Sequence, residues 1–157
     1  MNGILITCSS KRLAVLEEDP ETLADVIEER DDQQIPGLLD IGVTWDAFDL
    51  LFSERGKDAL LGDAFVGRTG RKLYASGVLE NVRLLPPERV AEVATKLATL
   101  PKTAVKERYA QLAGKKIHGK LGDDPEEIDG LELLFGRVVA LYQEAAKQKY
   151  SMIVAIV

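Results

Sequence analysis

The sequence has very few residues of the kinds that metal and nucleophile chemistry require. It contains one cysteine, Cys8, and one histidine, His118. A lone cysteine excludes an internal disulfide, and one Cys with one His falls short of the three or four ligands of a zinc site. We expect Cys8 to be an inert buried thiol and His118 to lie at the surface. No cofactor is predicted.

Long apolar runs are also missing. No segment approaches the ~20 apolar residues that a membrane-spanning helix needs. The first residues contain only a short apolar run with positive charges after it, whereas a secretory signal has the reverse order and a longer apolar core. We therefore expect a cytoplasmic protein with no membrane partner.

Acidic residues outnumber basic ones, 26 to 20, which gives a formal net charge of −6 at pH 7. This balance argues against nucleic acid as a partner, since binding to phosphates needs clustered Lys and Arg. The charges are segregated: residues 17–32 hold nine acids and one base, residues 96–120 hold seven Lys or Arg and one Glu, and residues 122–132 hold six acids. The first acidic segment is either a solvated helix face or a surface that steers a basic partner.

The length of 157 residues and the apolar pattern predict one mainly helical α+β domain covering residues 1–157. Apolar runs at Gly3–Cys8 and at residues 151–157 are typical of buried strands. Neither run has a strand partner close to it in the sequence. We therefore predict that these N-terminal and C-terminal strands pair with each other in one small sheet.

Several helix starts are marked by capping residues. Ser9 and the run Asp19-Pro20-Glu21 predict two short helices, and Thr44 is expected to cap a third. Proline opens two more helices at residues 87 and 125, and the second keeps apolar residues at helical spacing over five turns. The segment "IPGLLDIG" is expected to be an irregular connector, because it contains proline and glycine.

The segment "LLDIGVTWDAFDLLF", residues 38–52, combines aromatic and acidic residues. Trp45, Phe48, Leu51 and Phe52 fall on one helix face, which predicts a core stripe. The simplest explanation of Trp45, the only tryptophan of the chain, is therefore that it packs in the core.

Three carboxylates accompany this stripe, and with Trp45 they define an alternative candidate pocket of Asp40, Asp46 and Asp49. Acid/base catalysis would need one of them to have a pKa raised by burial beside Trp45. The competing interpretation is that they cap helices, complement the helix dipole or face solvent. The sequence "GDAFVGRT" at residues 62–69 is one residue from a phosphate-binding loop, but Arg68 replaces the lysine and no strand precedes it, which favours a glycine-containing loop.

Three segments, in this order, carry a family resemblance. They are LDI at 39–41 with WD at 45–46, RLLPPE at 83–88 with Val90, and a long helix that ends in an apolar strand. Together they resemble the YfbM-like family, a bacterial family of unknown function, over nearly the whole chain. The resemblance implies a small single-domain α+β fold, and it implies no activity.

Three functions are compatible with these features. The first is a non-enzymatic binding module, such as an immunity protein or an inhibitor of a basic toxin or enzyme, with Glu28, Glu29, Asp31 and Asp32 as the contact residues. The second is an enzyme that uses carboxylates near Trp45. The third is a subunit of a larger assembly that uses the basic residues 96–120. We favour the first, because the charge pattern supports it and no persuasive catalytic set is evident.

Overall fold

The computed structural model describes residues 1–29, 35–73, 81–122 and 124–157 of the chain. Within these ranges, five strands form one antiparallel sheet in the order β2-β1-β5-β4-β3. The strands are β1 (Gly3–Cys8), β2 (Leu38–Gly42), β3 (Arg71–Lys72), β4 (Asn81–Leu85) and β5 (Ser151–Ile156).

Strands β1 and β5 pair along their full lengths, from Gly3 with Ile156 to Cys8 with Ser151. The predicted pairing of the terminal strands is therefore confirmed. All six residues of β5 are buried, because the strand lies between β1 and β4 and is covered on both faces. An apolar run without alternation is the sequence pattern of such a doubly covered strand.

The helices make the fold mainly helical, as predicted. They are α1 (Ser10–Glu18), α2 (Pro20–Glu28), α3 (Thr44–Phe48), α4 (Ala59–Val66), α5 (Pro87–Ala98), α6 (Ala104–Arg108) and α7 (Pro125–Gln148). A π-helical turn at Asp49–Ser53 continues α3, and a 3-10 turn at Tyr109–Leu112 continues α6. Among the described residues, no helix has the length and apolar composition needed to cross a membrane.

The caps predicted for the first two helices are confirmed. The Ser9 side chain accepts a hydrogen bond from the Arg12 backbone N–H, and the Asp19 side chain accepts one from the Glu21 backbone N–H. Pro20 occupies the first turn of α2, where its missing N–H costs nothing. These local interactions start two helices that the rest of the fold then packs.

Two local predictions are wrong. Thr44 does not cap α3, because its hydroxyl donates backwards to the carbonyl of Ile41 and the residue before the helix is Val43. The expected connector contains strand β2, since its Pro and Gly form only a turn at its start and residues 38–42 then pair with β1. Pairing with an available neighbouring strand outweighs the local preference of this segment.

The sheet separates two apolar layers. Helices α1 and α2 cover one face, where Ile4, Ile6, Val82 and Ile153 are buried. Helices α3 to α7 cover the other face, where the largest part of the core lies. The acidic first helices and the basic residues 96–120 therefore belong to opposite layers of the fold.

The centre of the larger core is aromatic, and it contains all four phenylalanines of the chain. The ring centroid of Phe48 lies 6.1 Å from that of Phe52, 5.4 Å from that of Phe65 and 5.9 Å from that of Phe135. Phe52 and Phe135 stack at 4.5 Å. The predicted apolar stripe on residues 45–52 is thus confirmed for its two phenylalanines, which join three helices at one point.

Tyr142 gives this core a dependence on pH. Its side chain is fully buried, and its hydroxyl donates a 3.0 Å hydrogen bond to the carbonyl of Ala64. Burial, followed by the negative charge of Asp63, raises the pKa of Tyr142 far above its ordinary value. A group with a higher pKa in the folded state stabilises the fold below its unfolded pKa, and this contribution is lost as the pH rises above it.

We therefore expect the free energy of unfolding to fall as the pH rises above about 10, the pKa of an unfolded tyrosine. Replacing Tyr142 by phenylalanine removes the buried phenol, so the variant should show a shallower decline above that pH. Urea unfolding of both proteins at a series of alkaline pH values measures the two slopes. Equal slopes would contradict this role of Tyr142.

Candidate functional site

The acidic residues of the segment 17–32 that the structure describes form a surface on α1 and α2. Seven carboxylates there are exposed, and we call them the acidic surface: Glu17, Glu18, Asp19, Glu21, Asp25, Glu28 and Glu29. Glu28 and Glu29, two of the predicted contact residues, lie at the end of α2 and away from its buried residues Leu23 and Ile27. The other two, Asp31 and Asp32, lie outside the described residues.

Most carboxylates of the acidic surface have no ion pair with another residue that the structure describes. In the described ranges, only Glu17 forms an ion pair, with Arg71 of β3. Asp19 also accepts a hydrogen bond as the cap of α2. The remaining charges repel one another across two short helices, and such a field attracts a cationic partner over a distance limited by the Debye length.

Trp45 lies at the edge of the core and is half-buried. Its indole N–H donates to the backbone carbonyl of Met1 at 3.2 Å, and its ring lies 5.4 Å from that of His118. The predicted apolar stripe therefore runs from the half-buried Trp45 to the fully buried Phe48. His118 is exposed, as predicted for the single histidine.

Asp46 and Asp49 are buried, which differs from the solvated position that a capping role implies. Asp46 accepts a 2.8 Å hydrogen bond from the backbone N–H of His118, and it lies 3.4 Å from the guanidinium of Arg55. Asp49 accepts hydrogen bonds from the hydroxyl of Ser53 and from the guanidinium of Arg68. Burial of each carboxylate is offset by these donors.

Asp40 lies on β2, where its side chain accepts a 2.7 Å hydrogen bond from the backbone N–H of Gly42. The three carboxylates of the alternative pocket therefore have three different environments: Asp40 lies on a strand, Asp46 anchors the loop at His118, and Asp49 is part of a buried ion pair. Each carboxylate is held by its own donors: Gly42 for Asp40, His118 with Arg55 for Asp46, and Ser53 with Arg68 for Asp49.

A third buried carboxylate, Asp63, is not among the residues predicted from the sequence. It is fully buried in α4 and accepts hydrogen bonds from the backbone N–H and the hydroxyl of Thr69, at 2.7 and 2.6 Å. It also pairs with the Nε of Arg89 at 2.6 Å, which raises the pKa of Arg89. The sequence signal for Asp63 was an acid inside the apolar run "ALLGDAFV". An acid that is buried with such a run needs hydrogen-bond donors or a countercharge.

Cys8 and part of the basic segment 96–120 have structural rather than chemical roles. Cys8 is buried in β1, and this burial raises the pKa of its thiol, so it is a poor nucleophile. Part of the basic segment is used internally: Lys96 pairs with Asp58, and Lys106 pairs with Asp129. Within the described ranges, no three His, Cys, Asp or Glu side chains form a group that could hold a metal ion.

Comparison with solved structures identifies the same architecture elsewhere. The chain is similar to YfbM from Escherichia coli, described as a protein of unknown function, with a TM-score of 0.71 and 17% sequence identity over 100% of both chains. The family described as "Domain of unknown function (DUF1877)" matches residues 1–155, and the chain belongs to this family. The resemblance to the YfbM-like family is thus confirmed. No curated protein matches the chain.

Proposed function

We propose that the chain is a non-enzymatic binding module that attaches to a basic protein through the acidic surface. The observation that carries this proposal is the set of seven exposed carboxylates on two consecutive helices. Complementary charge speeds the encounter of two proteins and selects partners of opposite sign. A basic toxin or enzyme that is inhibited by this contact, as by an immunity protein, is the class of partner that fits.

The environments of the other carboxylates support a binding role. Asp46 is 6% exposed and Asp49 is 1% exposed, and both already accept hydrogen bonds from neighbouring groups. A general base needs a lone pair within hydrogen-bond reach of a substrate proton. These two side chains instead hold the loop at His118 and the guanidinium of Arg68 in place.

The proposal can be tested with two variants that have the same net charge. In the first, four residues of the acidic surface are neutralised as Glu21→Gln, Asp25→Asn, Glu28→Gln and Glu29→Gln. In the control, four exposed glutamates elsewhere are neutralised as Glu88→Gln, Glu107→Gln, Glu126→Gln and Glu144→Gln. Both variants should remain folded, because isolated surface substitutions usually change stability by less than about 0.5 kcal/mol each.

Immobilised wild type, variant and control are used to capture proteins from a lysate of the native host, and the captured proteins are identified. Wild type and control should retain the same basic protein, and the acidic-surface variant should lose it. With that protein in hand, we expect the variant's association rate at low salt to fall roughly 10-fold and its salt dependence to weaken. Equal capture and equal rates for all three proteins would disprove the proposed contact surface.

A further inference from the structure

A cleft of about 370 Å³ lies where the larger helix layer meets one end of the sheet. Its floor is formed by Asn81 and Arg83 of β4 and by Ile156 of β5. Alternate residues of a strand share one face of the sheet, so these three side chains face the same side as the core residues Leu85 and Val154. The sheet continues here beyond the apolar core, and its last side chains on this face are partly polar.

The walls of the cleft are supplied by Trp45 of α3, by Val66 at the end of α4 and by Arg68, which follows that helix. Trp45 fits against β1 only because Gly3 has no side chain. A Cβ at Gly3 would lie 2.7 Å from the Cβ of Trp45, which is closer than two such atoms approach in proteins. Close packing of Trp45 against Gly3 of β1 therefore determines where this wall of the cleft lies.

The other wall depends on a second glycine. Gly67 ends α4 with a φ of +65°, a left-handed conformation that glycine adopts readily. A Cβ at this position would lie 2.9 Å from the Cβ of Arg83, so the turn that leads to Arg68 lies directly over the stem of Arg83. The turn thereby brings both arginines to one cleft.

The described lining of the cleft includes two arginines, although the protein carries a formal net charge of −6. Arg68 and Arg83 both line the cleft, and no carboxylate does so among the lining residues that the structure describes. Arg68 uses one N–H for Asp49, and Arg83 makes a hydrogen bond of 3.5 Å to the carbonyl of Gly70, at the upper limit for such a bond. A guanidinium has five N–H donors, so both arginines have further donors to offer.

We infer that this cleft binds a small organic anion. Its carboxylate or phosphate group would contact the guanidinium groups of Arg68 and Arg83, which match the geometry of such oxygens. Its flat apolar part would pack against Trp45, whose polar N–H is already bonded to Met1. The volume is within the range of ligand pockets, which combine apolar walls with a few polar groups that orient the ligand. The acidic surface has no part in this inference.

Trp45 is the only tryptophan in the chain, so intrinsic fluorescence reports directly on the cleft. The protein is titrated with phenyl phosphate, benzoate, inorganic phosphate and benzyl alcohol, and calorimetry provides a second measurement of binding. Saturable binding of phenyl phosphate or benzoate, weaker binding of inorganic phosphate and no binding of benzyl alcohol would support the inference. Tighter binding of phenyl phosphate than of benzoate would indicate a phosphate ligand, and the reverse order would indicate a carboxylate ligand. Absence of saturable binding by both aromatic anions would overturn it.

Arg83→Gln is the critical variant, because it removes the charge and keeps the Cβ that packs under Gly67 and Gly70. Affinity for the better aromatic anion should fall by at least about 10-fold, the effect of losing a charge-assisted hydrogen bond. Arg83→Lys should retain part of the affinity. Arg137→Gln, an exposed arginine of α7, is the matched control and should bind like wild type. Equal affinities of the Arg83→Gln and Arg137→Gln proteins would overturn the inference.

Discussion

Replacing Phe48 by alanine is expected to lower the free energy of unfolding by about 3–5 kcal/mol. Its side chain is fully buried and contacts the rings of Phe52, Phe65 and Phe135. The loss combines the transfer of a phenyl group out of water with a cavity that the neighbouring rings cannot fill without leaving their favoured rotamers. Because these rings come from three helices, their contacts with Phe48 are lost together.

Urea or guanidinium unfolding of the Phe48→Ala protein measures this loss. Phe48→Leu should cost less, since most of the volume remains. Leu133→Ala is the control for removing an apolar side chain at the surface, because Leu133 is 72% exposed, and its effect should stay below about 0.5 kcal/mol. A loss below about 1 kcal/mol for Phe48→Ala would show that the aromatic cluster does not anchor the core.

Replacing Asp63 by alanine is expected to cost a similar amount, about 3–5 kcal/mol, for a different reason. The carboxylate is fully buried, and its removal leaves the largely buried Arg89 without its main countercharge. The backbone N–H and hydroxyl of Thr69 also lose their acceptor. Buried donors without acceptors carry their full desolvation cost, which makes breaking such a pair much more damaging than never having formed it.

The control for this experiment is an exposed ion pair of the same chain. Asp129 pairs with Lys106 at the surface, so Asp129→Ala should cost no more than about 1 kcal/mol. Asp63→Asn should lie between the two, because the amide retains an acceptor for Thr69 while losing the charge. If Asp63→Ala and Asp129→Ala had equal effects, the network around Asp63 would not be a determinant of stability.

Features encoded by neighbouring residues were predictable from the sequence. The caps at Ser9 and Asp19 act within three residues, and the apolar spacing of α7 continues over about five turns, so both are visible locally. The pairing of β1 with β5 was also predictable, because two strands that need to be buried had no closer partners. The prediction failed at β2 because a strand distant in the sequence, β1, decided the conformation of that segment. At Thr44 it failed because the hydroxyl bonds backwards to the carbonyl of Ile41.

The candidate sites were less predictable, because their residues are distant in the sequence. Arg83 and Trp45 meet at one cleft only after β4 has paired with β5 and α3 has packed against the sheet. The burial of Asp46 depends on the backbone of His118, 72 positions away. The acidic surface was predictable in part, because a charge run on two short amphipathic helices must face solvent somewhere along its length.

The two central strands, β1 and β5, come from opposite ends of the described sequence and pair residue by residue. Their alignment closes a loop that contains nearly every other element, and the entropy of such closure must be lost before the pairing energy is gained. Native contacts of this range are associated with slow folding. Neither half of the chain holds both central strands, so neither can form the sheet by itself. The sheet is therefore expected to form only once both β1 and β5 are available, and the polypeptide is expected to fold as one cooperative unit.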